Sequence, residues 1–269
     1  MKVVDFHTHI FPEGIASRAV EQLENHYQLQ IKNNGTFDNF MNKFKEAELY
    51  KAVVHAAAVV PRQVPTVNDW LLKIRDENLV SFGTIHPEYE DIEGELTRLK
   101  EAGVGGLKLH PDFQKFDIIS KEAYAIYEAI GADFLVLFHV GDQVEEPANN
   151  YSTPQKLAQV IADFPELRVI AAHLGGYQMW QEAKEYLIGE DIYIDTSSAL
   201  DFLSEEVVVE IINTHGVDRV LFGSDFPIKD PLTEMRQLMD LGLDLIDRLK
   251  ILSKNGLKLL EELGVEQKD

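Results

Sequence analysis

Eight short apolar runs, rich in β-branched and aromatic residues, alternate along this chain with amphipathic stretches of helical period, and no other feature restricts its fold as strongly. The runs are Val3–His9, Ala52–Val59, Val80–His86, Gly105–His110, Phe134–Val140, Arg168–His173, Ile192–Thr196 and Arg219–Asp225. Helical segments read between them at Asn68–Asn78, Ile92–Ala102, Lys121–Ile130, Pro154–Phe164, Tyr177–Leu187 and Ser204–His215. Repeated βα units of this kind build a parallel sheet, and eight of them close a barrel. The expected fold is α/β, a (β/α)8 TIM barrel forming a single domain over residues 1–269. A doubly wound open sheet uses the same alternation but gathers its chemistry at one crevice. Here polar residues end many of the runs, and no glycine-rich phosphate fingerprint follows the first strand.

Five motifs fall at the ends of these runs: Asp5-Phe6-His7-Thr8-His9, Lys108-Leu109-His110-Pro111, Phe138-His139-Val140-Gly141, His173-Leu174-Gly175-Gly176 and Gly223-Ser224-Asp225-Phe226-Pro227. Parallel strands of a barrel open their carboxyl ends onto one face, so such residues can converge. Side chains two apart on a strand share a face, which lets His7 and His9 act as a pair, with Asp5 one step deeper. An isolated His-x-His has a structural explanation too, and a buried imidazole or turn-capping carboxylate could account singly for His139, His173 or Asp225. An imidazole at the end of an apolar run is costly unless it is paired or bound to metal, and these four histidines taken together with Asp225 favour a metal site.

Composition narrows the chemistry. The chain has no cysteine, so a metal must be held by imidazole and carboxylate, a donor set suited to zinc, manganese or iron. A formal charge of −21 disfavours nucleic acid, whose nonspecific binding needs clustered Lys and Arg. No apolar run approaches membrane-spanning length, and the opening residues lack the basic and apolar regions of a signal peptide, so a cytoplasmic protein without membrane association is expected.

The ordered motifs, with Gly106-Leu-Lys-Leu-His-Pro111 and Lys254-Asn-Gly-Leu-Lys-Leu-Leu260, resemble nearly end to end the metal-dependent amidohydrolase superfamily. Within it they resemble the amidohydrolase-2 group, which includes aminocarboxymuconate-semialdehyde decarboxylase and related aromatic-acid decarboxylases. The resemblance implies a divalent ion, zinc before manganese or iron, held by His7, His9, His139 and Asp225, with His173 and Asp225 as catalytic residues. It also implies a small-molecule substrate and a homodimer. The function expected first is hydrolysis of a small amide, lactone or ester by a metal-activated water. A nonoxidative decarboxylase of a small unsaturated or aromatic acid would share nearly every ligand. TatD-like and PHP-like phosphoesterases open on a similar Asp-Phe-His-Thr-His, but the chain's acidity and the lack of an obvious strand-four glutamate count against them. A noncatalytic metal-binding protein is the last alternative.

Lys108 reads as a substrate contact or a partner of the ligands, with a bridging carbamate and a structural salt bridge as alternatives. His110 shares its strand parity and is a further substrate contact. Elsewhere, His55 reads as an interior histidine, His86 as even between site and structure, and His26 and His215 as surface residues. Tyr151 and Tyr177 could line the pocket, and Glu13 reads as a helix N-terminal carboxylate. The stretches 26–40 and 141–153 are expected to be irregular, as a possible lid.

Overall fold

The computed structural model describes residues 1–142 and 150–265. Its strands are β1 (Val3–His9), β2 (Leu49–His55), β3 (Leu79–Ser81), β4 (Gly83–Thr84), β5 (Gly106–Leu109), β6 (Leu135–Phe138), β7 (Arg168–Ala171), β8 (Tyr193–Asp195) and β9 (Val220–Leu221). The α-helices are α1 (Glu13–Tyr27), α2 (Phe37–Glu46), α3 (Val64–Lys73), α4 (Ile92–Glu101), α5 (Pro111–Gln114), α6 (Lys121–Ile130), α7 (Pro154–Asp163), α8 (Trp180–Tyr186), α9 (Glu205–His215), α10 (Pro231–Asp240), α11 (Leu245–Leu249) and α12 (Asn255–Glu262). Among the described residues no helix is long and apolar enough to cross a membrane. They gather into two compact units, one built from Met1–Val54, Arg75–Val80 and the stretch from Asp195 onward, the other from His55–Ile74 and Ser81–Ile194.

In the first unit β1 lies between β9 and β2. Phe6 N–H donates to Phe222 O at 2.8 Å, Asp225 N–H to His7 O at 2.8 Å and His9 N–H to Phe226 O at 2.6 Å, so the end of β1 is laced to the segment that follows β9. On the other side β1, β2 and β3 follow in order. Phe6, Phe40, Phe222 and Phe226 are fully buried, and the Phe40 and Phe226 rings meet at 5.0 Å, joining α2 to the chain beyond β9. Aromatic rings of this size carry large apolar areas out of water at this end of the unit.

The second unit carries β4 to β8 as a parallel sheet in chain order, with Lys108 paired to Thr84 on one side and to Leu137 on the other. Its central strands, Gly-Leu-Lys-Leu and Leu-Val-Leu-Phe, are buried on both faces and apolar except at Lys108. Gly106 opens β5 because the Phe82 ring lies on it, and a Cβ there would sit 2.4 Å from that ring. α6 starts where Ser120 accepts a hydrogen bond from Ala123 N, and buries Ala123, Ile126, Tyr127 and Ile130 at helical spacing. α7 begins in the same way, with Thr153 as cap and Pro154 in its first turn.

The strands differ from the sequence reading mainly at their ends. β1 spans the expected residues, whereas the run expected over Val80–His86 is divided at Phe82 into β3 and β4. The stretch 26–40 is less irregular than expected, since α1 extends to Tyr27 and α2 starts after the Thr36 cap. Much of the second expected lid, residues 143–149, lies outside the described residues. His215, expected at the surface, is buried at the end of α9.

Candidate metal centre and histidine pair

The end of β1 presents its two histidines to a carboxylate from the segment after β9. His7 Nε2 and His9 Nε2 lie 3.2 Å apart, and each is 3.5 Å from Asp225 Oδ1. Ligands about 2.1 Å from one ion are separated by roughly 3.0 Å at right angles and 3.4 Å at the tetrahedral angle, so this triangle has the edges of a coordination sphere. Asp195, at the end of β8, accepts at Oδ2 from His7 Nδ1 at 2.9 Å. A carboxylate only accepts, so His7 carries its proton on Nδ1 and turns the Nε2 lone pair toward His9 and Asp225. That is the outer hydrogen bond that orients metal-ligating imidazoles. The donor set fits a divalent ion.

Supporting groups fix each member. Ser197 Oγ stands 3.1 Å from His7 Nδ1 and donates to Asp195 Oδ1. Ser198 Oγ donates to Asp225 Oδ2 at 2.5 Å. Asp225 itself has φ 63°, in the left-handed region that non-glycine residues rarely occupy, so its aim is held by the surrounding packing. Gly223 lies so close to His7 that a Cβ on it would stand 2.8 Å from the histidine Cβ. One step below, Asp5 accepts at Oδ1 from the amides of His7 and Ser224 at 3.1 and 2.9 Å. Its complete burial outweighs those bonds and raises its pKa to about 7.

The second unit brings together three of the remaining predicted residues. His173 Nε2 and His139 Nδ1 are 3.0 Å apart, which shares one proton between the rings. Any further in-plane bond of His139 therefore runs through Nε2. His173 and Leu174 both have positive φ, 61° and 53°, and Trp180 Nε1–H holds the His173 carbonyl at 2.9 Å. His110 lies flat between two rings, with centroids 3.9 Å from His139 and 4.1 Å from Phe113, and it can meet another molecule only by its edge. Lys108 is completely buried on β5.

His86 holds two loops by backbone contacts, its Nε2 to Gln114 O and its Nδ1 to Glu88 N, both at 3.2 Å. Burial lowers its pKa, consistent with a neutral ring. His55 and Tyr177 are buried, and Glu13 stands in the first turn of α1. Asp195 stands near the end of the predicted run Ile192–Thr196 without a histidine beside it, and Ser197 and Ser198 read as turn-forming residues, so all three escape sequence reasoning. The signal that could have found Asp195 is its place at the end of a run.

The model of the amidohydrolase family, in its amidohydrolase-2 form, matches residues 4–261. The chain belongs to the amidohydrolase family. Among curated proteins no sequence match was found. Among solved structures, a TIM-barrel protein from Bordetella bronchiseptica superposes with a TM-score of 0.76 at 16% identity, covering 98% of this amidohydrolase and 100% of its own chain. The 5-carboxyvanillate decarboxylase of Sphingomonas paucimobilis gives 0.70 at 12% identity, covering 97% and 99%. A dihydroxybenzoic acid decarboxylase from a Polaromonas species, solved with bound manganese and the inhibitor 2-nitroresorcinol, gives 0.68 at 17% identity, covering 97% of each chain. Likeness at this identity identifies the fold: the amidohydrolase is a (β/α)8 barrel of the TIM type.

Proposed function

We propose that this amidohydrolase is a metal-dependent nonoxidative decarboxylase of a small unsaturated or aromatic carboxylic acid. The observation that carries the reading is the triangle of His7 Nε2, His9 Nε2 and Asp225 Oδ1, spaced as ligands of one ion and oriented by Asp195. The choice of reaction is supported by the decarboxylases among the structural neighbours, one of them holding manganese. His7, His9 and Asp225 would hold manganese or zinc, and the family motif adds His139 to the ligands. When bound, the ion supplies Lewis-acid polarisation of a substrate oxygen.

Decarboxylation needs a proton placed on the carbon that bears the carboxylate. The bond from that carbon to the carboxylate then breaks, its electron pair returns to the unsaturated system, and carbon dioxide leaves. His173, whose Nε2 is joined to His139 Nδ1 at 3.0 Å, is proposed as the general acid: it takes a proton from solvent and passes it to that carbon. Lys108, a buried cation-forming group, and the edge of His110 are proposed to contact substrate.

Hydrolysis of a small amide, lactone or ester is the second reading, favoured by the family description itself. Protein loaded with manganese or zinc should be offered hydroxybenzoates and unsaturated diacids, with carbon dioxide release and the decarboxylated product followed together. The same preparation is then offered amides, lactones and esters. Release of carbon dioxide that stops on chelation supports the decarboxylase. Turnover confined to the second panel replaces it with the hydrolase.

A further inference from the structure

The carboxylate of Asp225 is divided between two duties. Oδ1 faces His7 Nε2 and His9 Nε2 at 3.5 Å each, while Oδ2 accepts from Ser198 Oγ at 2.5 Å. Both residues are 3% exposed, and both have left-handed backbones, Ser198 at φ 46° and Asp225 at φ 63°. Two residues with backbones in that uncommon region, joined by a short hydrogen bond from a hydroxyl to a carboxyl oxygen, form a built contact. We infer that Ser198 is a positioning residue that keeps Asp225 a one-oxygen ligand of the ion.

The physical argument is geometric. A carboxylate that grips an ion with both oxygens must turn both toward it, and a hydroxyl bound to one of them holds that oxygen back. Ser198 spends its one proton on Oδ2, so Oδ1 alone is presented toward the two imidazoles. The ion then keeps a position for substrate that a two-oxygen carboxylate would occupy, as catalytic sites require. The inference rests on the metal reading of His7, His9 and Asp225.

The test compares wild type with Ser198→Gly and Ser198→Ala, each loaded with cobalt(II) alone. Glycine removes the hydroxyl and tolerates φ 46°, so Ser198→Gly is expected to melt close to wild type, whereas alanine keeps the strain. Both variants should bind cobalt about 10–100-fold more weakly, the usual cost of losing an outer partner of a ligand. Their visible absorption should also fall in intensity, since d–d bands weaken as coordination number rises. Unchanged affinity and spectrum in Ser198→Gly would overturn the role of Ser198 while leaving the metal centre standing. A wild-type protein that takes up no cobalt would overturn the metal reading and this inference together.

Discussion

At the scale of single residues, the imidazole proposed as a metal ligand, His7, is fixed by what surrounds it. His7 has a carboxylate and a hydroxyl at Nδ1, an imidazole and a carboxylate near Nε2, and a glycine against its Cβ. Asp195→Asn keeps the shape of the Nδ1 partner but weakens its hold on the Nδ1–H tautomer. The expected result is a metal affinity lower by about 10–100-fold, read by titration with manganese or zinc. Equal affinity in the two proteins would show that Asp195 serves packing only. Gly223→Ala acts on the opposite side, where the new methyl meets the Cβ of His7 at 2.8 Å and those of Ser197 at 3.2 Å, atoms tied closely to backbone. Overpacking of this kind costs about 1–3 kcal/mol, and the displaced His7 should lose its ion. Thermal denaturation and metal content of the purified variant check the two halves of that expectation. An alanine variant with full metal content would mean that β1 can yield without moving its histidine.

Among the elements, the ones legible from sequence are those whose local pattern and tertiary use agree. β1 was readable to both ends because its apolar alternation and its site histidines occupy the same seven residues. α6 was readable because its cap, its first-turn glutamate and its buried face all point to one helix. Less legible was α1, whose buried face over fifteen residues is reduced to Ala16, Val20 and Tyr27, leaving little periodic signal to set against the Asn-Asn-Gly turn that follows. The site divides similarly. His7, His9 and Asp225 close apolar runs and stand out, whereas Asp195 and Ser198 acquire meaning only from partners far away in the chain. Asn68 is another such residue, invisible on an ordinary helix yet completely buried. It accepts from Thr84 N at 2.8 Å, donates to Thr84 O at 2.9 Å and to Glu95 at 2.6 Å, and so fastens α3 to β4 and α4. Asn68→Ala strands those groups in the interior and should destabilise the protein by about 2–3 kcal/mol. A urea midpoint shifted by less than the wild-type error would refute the clamp.

For the molecule as a whole, the acidic balance of −21 conceals a buried acid that behaves against the trend. Glu234 lies inside α10, 1% exposed, with neither carboxylate oxygen hydrogen bonded. Burial is the main force on it. Lys229 pulls its pKa down, while Asp201, Asp225 and Asp5 push it up, and the result is about 8 against an ordinary 4.5. The folded protein therefore keeps a proton on Glu234 that the unfolded chain gives up near pH 4 to 5. A folded pKa above the unfolded one means that stability is fully present below the unfolded value and falls as pH rises toward 8. One proton sets a slope of about 1.4 kcal/mol per pH unit, so between pH 5 and pH 8 wild type should lose on the order of 3–4 kcal/mol relative to Glu234→Gln, which cannot ionise. The variant is compared with wild type by urea denaturation at each pH and at fixed metal concentration, so that other carboxylates cancel in the difference. Wild-type and variant stabilities that run parallel across that range would show that Glu234 does not hold a proton in the folded barrel.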